Sequence, residues 1–248
     1  MLNHFSNLSC YEEFEIQCTL TGISKIDILK KIGNQIDDYY FFISEDGIFN
    51  WFDLEGNHIK DPGVLKSICK KYIPKTIVKC IIPNSVTSIG DGAFYNCKSL
   101  KEITIPNSIT SIGDDVFWRC KSLTSIIIPN SVTSIGYSVF AYCESLKEIT
   151  IPNSITNIGY DAFFCCKSLK EIIIPDNITS ISYGAFWGCE SLKEITIPDS
   201  VTHIGNGAFS YCNALEEIVF KGKSLDEVEQ MENYPFGIED ENVFKCEL

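Results

Sequence analysis

The sequence is short of positive charge. Its 20 Lys and Arg residues are outnumbered by 33 Asp and Glu, which gives a formal net charge of −13. Such a surplus argues against binding to nucleic acid, because attraction to phosphates requires basic residues. The same surplus favours solubility and basic partners. We therefore expect a protein partner and no nucleic acid.

Membrane-directing segments are not apparent either. The first ten residues, MLNHFSNLSC, have neither the basic segment nor the apolar core of a secretory leader. No apolar run approaches the ~18 residues of a membrane-spanning helix. We therefore predict no membrane insertion and a cytoplasmic location. A place on the cell surface or a virion is the alternative, which a leader upstream of this sequence would favour.

Motifs for chemistry are incomplete. The three histidines, at 4, 58 and 203, are scattered, and no Cys-x-x-Cys pair exists to hold a metal. Residues 222–224, Gly-Lys-Ser, resemble the end of a phosphate-binding loop, but Glu217 occupies the place of its first glycine. We predict that the chain is not an enzyme, and we assign no catalytic, metal-binding or cofactor-binding residue.

What the sequence does have is a repeat. Between Ile82 and Leu215 one sequence pattern occurs six times at a constant interval, without insertions. A fixed period of this length is typical of a solenoid, whose units stack to share one core. The invariant positions are Pro83, Pro106, Pro129, Pro152, Pro175 and Pro198; Phe94, Phe117, Phe140, Phe163, Phe186 and Phe209; and Cys97, Cys120, Cys143, Cys166, Cys189 and Cys212.

Each unit has a readable local structure. Ile103 and Ile105 alternate with polar residues, which predicts a strand with one buried face. The following proline ends that strand. Ile109 and Ile112 should face inward, and residues 116–120 have a near-helical spacing that predicts one turn of helix or 3₁₀ helix. The six cysteines of the repeat should be small buried thiols, and metal or disulfide roles are the weaker alternatives. The other six, Cys10, Cys18, Cys69, Cys80, Cys165 and Cys246, follow no pairing pattern.

The pattern Leu-x-x-Ile-x-Ile-Pro, then Ser-Val/Ile-Thr-x-Ile-Gly, then Phe-x-x-Cys, resembles the BspA-like, Treponema-type leucine-rich repeat. The resemblance covers about residues 73–220. It implies a curved α/β solenoid with a parallel β-sheet on its concave face. It also implies protein recognition or adhesion rather than catalysis.

The chain ends depart from the repeat. We predict an N-terminal cap over 1–72, the solenoid over 73–220 with a degenerate first repeat, and a helical C-terminal cap over 221–248. The N-terminal residues predict a helix that starts at Ser24, strands at 39–43 and 48–52, and a second helix that opens at Asp61. The alternative is that this segment is a small αβ domain with its own activity, which the repeats deliver.

The C-terminal end predicts a capping box and a closing strand. Ser224 and Glu227 have the spacing of the box, and Leu225, Val228 and Met231 should form one helix face. Val243 and Phe244 then begin a last strand.

Alternation along the predicted strand leaves two rows outside the core. We predict that both face the concave side and bind a partner, which we expect to be basic. The alternative is that near-identical repeats copy these residues without a function. The candidate partner-binding residues are Glu102, Glu148, Glu171, Glu194 and Glu217 in one row, and Thr104, Thr150 and Thr196 in the next.

Aromatic residues form a competing candidate surface. Exposed Tyr and Trp side chains in register are typical of protein interfaces. The alternative is that they pack only on one another. The residues are Tyr137, Tyr160 and Tyr183 at one repeat position, and Trp118 and Trp187 at the position after the core phenylalanine. We conclude that the chain is a non-enzymatic recognition solenoid for a protein. The alternatives are an adhesin for host protein or glycan, and a homo-oligomer through an aromatic face.

Overall fold

The computed structural model describes residues 24–247, except for the side chain of Ile32. The part of the predicted N-terminal cap that precedes Ser24 lies outside this range, and with it His4, Cys10 and Cys18. In chain order the elements are α1 (Lys25–Ile32), β1 (Asn34–Ile36), β2 (Tyr39–Ile43), β3 (Phe49–Asp53), β4 (His58–Ile59), β5 (Ser67–Ile68), β6 (Lys79–Ile81), β7 (Ser88–Ile89), β8 (Glu102–Thr104), β9 (Ser111–Ile112), β10 (Ser125–Ile127), β11 (Glu148–Thr150), β12 (Asn157–Ile158), β13 (Ser180–Ile181), β14 (Glu194–Ile197), β15 (His203–Ile204), β16 (Glu217–Lys221), α2 (Leu225–Glu229), a 3₁₀ turn (Glu241–Val243) and β17 (Phe244–Glu247).

The predicted solenoid is confirmed. Its first ladder of parallel strands contains β6, β8, β10, β11, β14, β16 and β17, and Ile173 bridges Thr150 and Thr196. Within the repeats, paired residues stand one repeat period apart in sequence, as in Ser125 with Glu148, whereas the pairing of β16 with β17 spans a longer interval, as in Ile218 with Phe244. The strand predicted around Ile103 is β8, and Ile105 is buried at its end. The chain makes about eight turns, and the sequence period is the structural period.

A second parallel ladder joins the short strands that follow each proline. It contains β5, β7 and β9, and then β12, β13 and β15. Ile109 and Ile112 are buried beside it, as predicted. This ladder stacks the second side of every turn onto its neighbour.

The helical turn predicted at residues 116–120 is wrong. Trp118 N–H donates to the carbonyl of Asp115 at 3.1 Å and Cys120 N–H to that of Phe117 at 3.0 Å, so tight turns follow one another. Asp115 and Arg119, however, have φ of +53° and +57°. Left-handed residues are incompatible with a helix and typical of type II turns. They direct the N–H groups of Asp115, Phe117 and Arg119 to carbonyls of the next solenoid turn, which creates a third ladder.

The core is a set of stacked rows. The repeat phenylalanines are fully buried or nearly so, and each ring lies 5.4–5.6 Å from the next, from Phe94 to Phe209. Cysteine, leucine and isoleucine rows complete one continuous core. A single unit could not bury these side chains alone, so stability comes from neighbouring turns.

The N-terminal elements lie against the solenoid. The helix predicted at Ser24 is α1, and the Ser24 hydroxyl accepts from Asp27 N–H at 3.3 Å. Strands β1 to β4 form an antiparallel sheet. Phe41 packs 5.5 Å from Tyr72 and belongs to the solenoid core, and the carbonyl of Gly47 accepts from Ile81 N–H at 2.8 Å. These contacts join the N-terminal sheet to the core of the solenoid.

The second N-terminal helix, predicted to open at Asp61, is wrong. Residues 67–68 instead form β5, which pairs in parallel with β7. Ile68 is fully buried in the solenoid core. The second ladder therefore begins before the recognisable repeats, and its pairing overrides the local helical pattern.

The C-terminal elements continue the solenoid. The predicted capping box between Ser224 and Glu227 is confirmed at the start of α2. Val228 is buried, whereas Leu225 is exposed, contrary to the predicted helix face. The predicted last strand is β17, which pairs in parallel with β16. Because α2 is a single short helix, from Leu225 to Glu229, the helical part of this end is small.

Candidate functional site

The predicted glutamate and threonine rows lie side by side on the first ladder. The register places Ser125 beside Glu148 and Ile127 beside Thr150, so equivalent residues of successive turns are neighbours. Their side chains are exposed, except for those of Glu217 and Thr196, which are partly buried. We call this surface the sheet face; it contains positions 79, 102, 125, 148, 171, 194 and 217 in one row and positions 81, 104, 127, 150, 173, 196 and 219 in the other.

Isoleucines make the sheet face unusual. Ile127 is 76% exposed and Ile173 is 82% exposed, and each is followed in the row by a threonine. Large aliphatic side chains at such exposure, rimmed by charged groups, are typical of surfaces that bind other molecules. Neither Ile127 nor Ile173 is among the candidate binding residues predicted from the sequence.

Charges of both signs lie on the sheet face and directly beside it. Lys79 Nζ lies 3.0 Å from a carboxylate oxygen of Glu102, and Lys193 Nζ lies 3.9 Å from Glu216. Both pairs are well exposed, so each contributes little to stability. Near the C-terminal end, a shallow groove combines two lysines with four glutamates, a net charge of −2; it is lined by Lys170, Glu171, Lys193, Glu194, Glu216 and Glu217. The groove is thus net acidic.

The predicted tyrosine row is exposed. Tyr137 and Tyr160 contact edge-to-face with their centroids 5.4 Å apart, and Tyr183 follows at the next turn. Their rings remain about half exposed, which agrees with the prediction of an outer aromatic row.

The predicted tryptophans belong to a longer line of rings, the aromatic ladder. Each ring contacts the next, with centroids 4.4–6.1 Å apart, and most are partly buried. Its members are Tyr95, Trp118, Tyr142, Phe164, Trp187 and Tyr211. Mutual packing, the alternative given for these aromatic residues, is therefore observed.

Two members of the aromatic ladder were missed in the sequence. Tyr142 and Tyr211 stand one position later in the repeat than the tryptophans, at left-handed sites with φ of +60°. Arg119 occupies the same position, with φ of +57°. A bulky residue at such a site is uncommon and points to a constraint. The available signal was a position that varies among Asn, Arg, Tyr, Cys and Gly although the cysteine that follows it is constant.

The buried cysteines form an inert row. Each Sγ from Cys120 to Cys212 lies 3.2–3.3 Å from the carbonyl of a phenylalanine in the preceding turn. Burial raises the pKa of these thiols, to about 12 for Cys212. Protonated, enclosed thiols are poor nucleophiles and poor metal ligands. Ten cysteines within residues 24–247 are free, and no cluster of His, Cys, Asp or Glu in that range has the arrangement of a metal site. None of the described helices has the length and hydrophobicity needed to cross a bilayer.

Comparison with known families identifies the repeats. The family model for the BspA type leucine-rich repeat region matches in six copies, over residues 69–192 and 134–237. The chain belongs to this family. Leucine-rich repeat proteins of this type are generally non-enzymatic scaffolds that bind proteins.

Solved structures of bacterial leucine-rich repeat proteins share the fold. The Treponema pallidum leucine-rich repeat protein is 29% identical with a TM-score of 0.60, and the match covers 73% of this chain and 90% of that one. A leucine-rich cell surface protein from Faecalibacterium prausnitzii is 30% identical with a TM-score of 0.53, covering 76% of this chain and 54% of that one. The chain thus spans about half of the second protein. The comparison with curated proteins gives no match.

Proposed function

We propose that this BspA-type protein recognises a basic protein partner through its sheet face. The observation that carries the proposal is the exposure of Ile127 and Ile173, at 76% and 82%, in a row beside stacked carboxylates. The side chains are held on paired strands, so their spacing is fixed before a partner arrives. Such preorganisation reduces the entropy lost on binding.

The isoleucines would supply the apolar contact. While they are exposed to water, these side chains contribute no hydrophobic free energy. Burial against a partner would stabilise the complex by about 25 cal/mol per Å² of apolar area removed from water. Thr104 and Thr150 hold the equivalent places on alternate turns. A partner therefore meets an apolar patch at every second turn, with polar positions between.

The carboxylates would determine how the partner is oriented and which sign of charge its surface must carry. The groove at the C-terminal end of the sheet face carries a net charge of −2, and the whole chain carries −13. Such a field accelerates the approach of a basic surface and is screened by salt. The lysines that alternate with the glutamates would meet acidic groups on the same partner.

The test is capture of binding proteins from a native lysate by the wild type and two variants. Ile127→Thr/Ile173→Thr gives these positions the residue already found on alternate turns, so folding should be preserved. Glu148→Lys/Glu171→Lys/Glu194→Lys reverses the carboxylate row. We expect the same partner to be lost with both variants, and its capture by the wild type to weaken as salt rises.

A matched control separates the surface from the net charge. Glu45, Glu55 and Glu229 are exposed and lie outside the sheet face, so their conversion to lysine changes the total charge by the same amount. This control should retain the partner. Retention by the two sheet-face variants, or loss with the control, would contradict the proposal.

An extracellular adhesin is the second candidate. It is favoured by the F. prausnitzii relative, which is described as a cell surface protein. In that case the partner would be a host protein or a glycan. Binding of intact host cells by the purified protein, competed by soluble protein or by free glycan, distinguishes these ligands from an internal partner.

A further inference from the structure

Two Trp–Tyr pairs of the aromatic ladder occupy equivalent places in the repeat. Tyr142 stands one position beyond the equivalent of Trp118 in the next repeat, and Tyr211 has the same relation to Trp187. The ring centroids are 5.6 Å apart in the first pair and 5.1 Å apart in the second. The two pairs therefore place a tryptophan beside a tyrosine at two sites three solenoid turns apart, with interplanar angles of 75° and 42°.

A cation of the chain covers the first pair. The guanidinium carbon of Arg119 lies 4.1 Å from the centroid of Trp118 and 5.3 Å from that of Tyr142. Arg119 is the single arginine in the sequence. A guanidinium over aromatic rings gains cation–π attraction and stacking. This attraction accompanies a left-handed backbone at Arg119, where a large side chain is unfavourable.

The second pair has no such cation. The residue that corresponds to Arg119 is Gly188, which has no side chain to lay over Trp187. Within residues 24–247, no lysine or arginine side chain stacks over Trp187 or Tyr211. Tyr211 is 64% exposed, so its ring is accessible from solvent.

Carboxylates stand beside the second pair. Trp187 and Tyr211 line a surface pocket together with Glu239 and Asp240, both of which are exposed. Asp240 accepts from the backbone N–H of Asn242 at 3.1 Å, which fixes its carboxylate next to the 3₁₀ turn. Aromatic faces and carboxylates are the two features that attract a guanidinium.

We propose that the pocket of Trp187, Tyr211, Glu239 and Asp240 binds an arginine side chain of a partner protein, in the manner in which Arg119 covers Trp118 and Tyr142. Arginine is favoured over lysine because its planar group can stack on a ring and at the same time donate to a carboxylate. The pocket shares no residue with the sheet face, so it is a separate contact that stands or fails independently of the proposed function.

The test uses ¹⁹F NMR of the full chain labelled with 5-fluorotryptophan. Trp51, Trp118 and Trp187 give three resonances, which single Trp→Phe variants assign. The probe is the blocked tripeptide Gly-Arg-Gly, and the controls contain citrulline, the neutral isostere, or lysine. We expect the arginine peptide to shift the Trp187 resonance in the millimolar range, with no shift at the buried Trp51 or at the covered Trp118. An unchanged Trp187 resonance, or equal shifts with citrulline or lysine, would overturn the proposal.

Two variants sharpen the test. Glu239→Gln/Asp240→Asn keeps the shape and the capping acceptor, and it should weaken the arginine peptide about five-fold. Glu45→Gln/Glu55→Gln removes the same charge elsewhere and should leave the affinity unchanged. Equal weakening of the arginine peptide by both charge variants would also count against the proposal.

Discussion

The thiol of Cys143 donates a hydrogen bond to the carbonyl oxygen of Phe117 at 3.2 Å, and both residues are fully buried. The acceptor lies in the preceding solenoid turn, so the side chain joins two repeats. The carbonyl also accepts from the backbone N–H of Cys120 at 3.0 Å. The cysteine row is thus a fourth line of contacts between turns, formed by side chains rather than by the backbone.

Ionisation of these thiols should make the protein sensitive to alkali. Burial raises the pKa of Cys143 and its neighbours above the ordinary value of 9.0, so thiolate forms readily only in the unfolded chain. Their stabilising contribution is complete below pH 9.0 and is lost as pH rises above it. Above pH 9.0, each such thiol lowers the free energy of unfolding by about 1.4 kcal/mol per pH unit until the thiol of the folded protein ionises as well.

The variant Cys143→Ala isolates one thiol from the other groups that titrate in this range. At pH 8 the cavity should cost about 1–2 kcal/mol in the free energy of unfolding. Because the variant lacks one ionising group, that cost should shrink between pH 9 and 10.5. Denaturant titrations at the two ends of this range give the measurement, and a pH-independent cost would contradict the expectation.

The same burial predicts a pattern of thiol modification. Cys69, Cys165 and Cys246 are partly exposed, whereas the repeat cysteines are enclosed. Iodoacetamide at pH 8 should modify the three exposed thiols in the native protein and spare the row from Cys120 to Cys212. Peptide mass mapping with and without denaturant checks this, and modification of the row in the native protein would show that the turns open locally.

Gly113 allows its solenoid turn to pack closely against the preceding turn. A Cβ at this position would lie 2.8 Å from the backbone nitrogen of Asp91, in the preceding turn. Gly113→Ala should therefore force the turns apart and lower the free energy of unfolding by about 2–3 kcal/mol. Ser182 stands at the equivalent position of a later repeat and already carries a side chain, so Ser182→Ala should change stability by less than about 0.5 kcal/mol. Equal effects of the two substitutions, measured by thermal unfolding, would contradict the role given to Gly113.

Asp161 occupies a site better suited to glycine. Its φ is +51°, its Oδ1 is buried without a hydrogen-bond partner, and Gly92, Gly184 and Gly207 hold the same place in other repeats. Asp161→Gly should raise the free energy of unfolding by about 1 kcal/mol at pH 7, since it relieves backbone strain and a desolvated charge.

The gain from Asp161→Gly should depend on pH. Burial raises the pKa of Asp161 above its ordinary value of 3.8, so the folded wild type is penalised above that raised pKa and relieved below it. The wild type should therefore recover against the variant as pH falls from 7 towards 3.8. A constant difference would assign the whole effect to the backbone.

The repeated part of the fold was predictable because the period of the sequence equals the spacing between residues that pair in the ladders. Ile109 and Phe117 are buried and Ile103 is partly buried, as alternation and spacing predict. The errors have a common cause: near Phe117 and at Asp61 the sequence has helical spacing, but hydrogen bonds to the adjacent turn are stronger than the local preference. Sequence spacing does not report such long-range pairing.

The candidate surfaces were predictable only in part. The glutamate and tyrosine rows lie outside the core, as alternation requires. The cation over Trp118 could not be foreseen, because it depends on the left-handed backbone of Arg119, which turns that side chain onto its neighbour. The absence of a side chain at Gly188 becomes significant only when this position is compared with that of Arg119 in the structure.

The three backbone ladders share a single sequence interval, the length of one repeat, and this has a consequence for how the gene can change. A deletion or insertion of any other length would shift all three ladders out of register at once, and it would displace the phenylalanine and cysteine rows as well. Duplication or loss of a whole unit leaves every neighbour relationship intact. Unequal recombination can therefore lengthen or shorten the binding surface of such a protein in steps of one turn. Independently of its length, the surface can change its contacts through substitutions at the variable positions of single repeats.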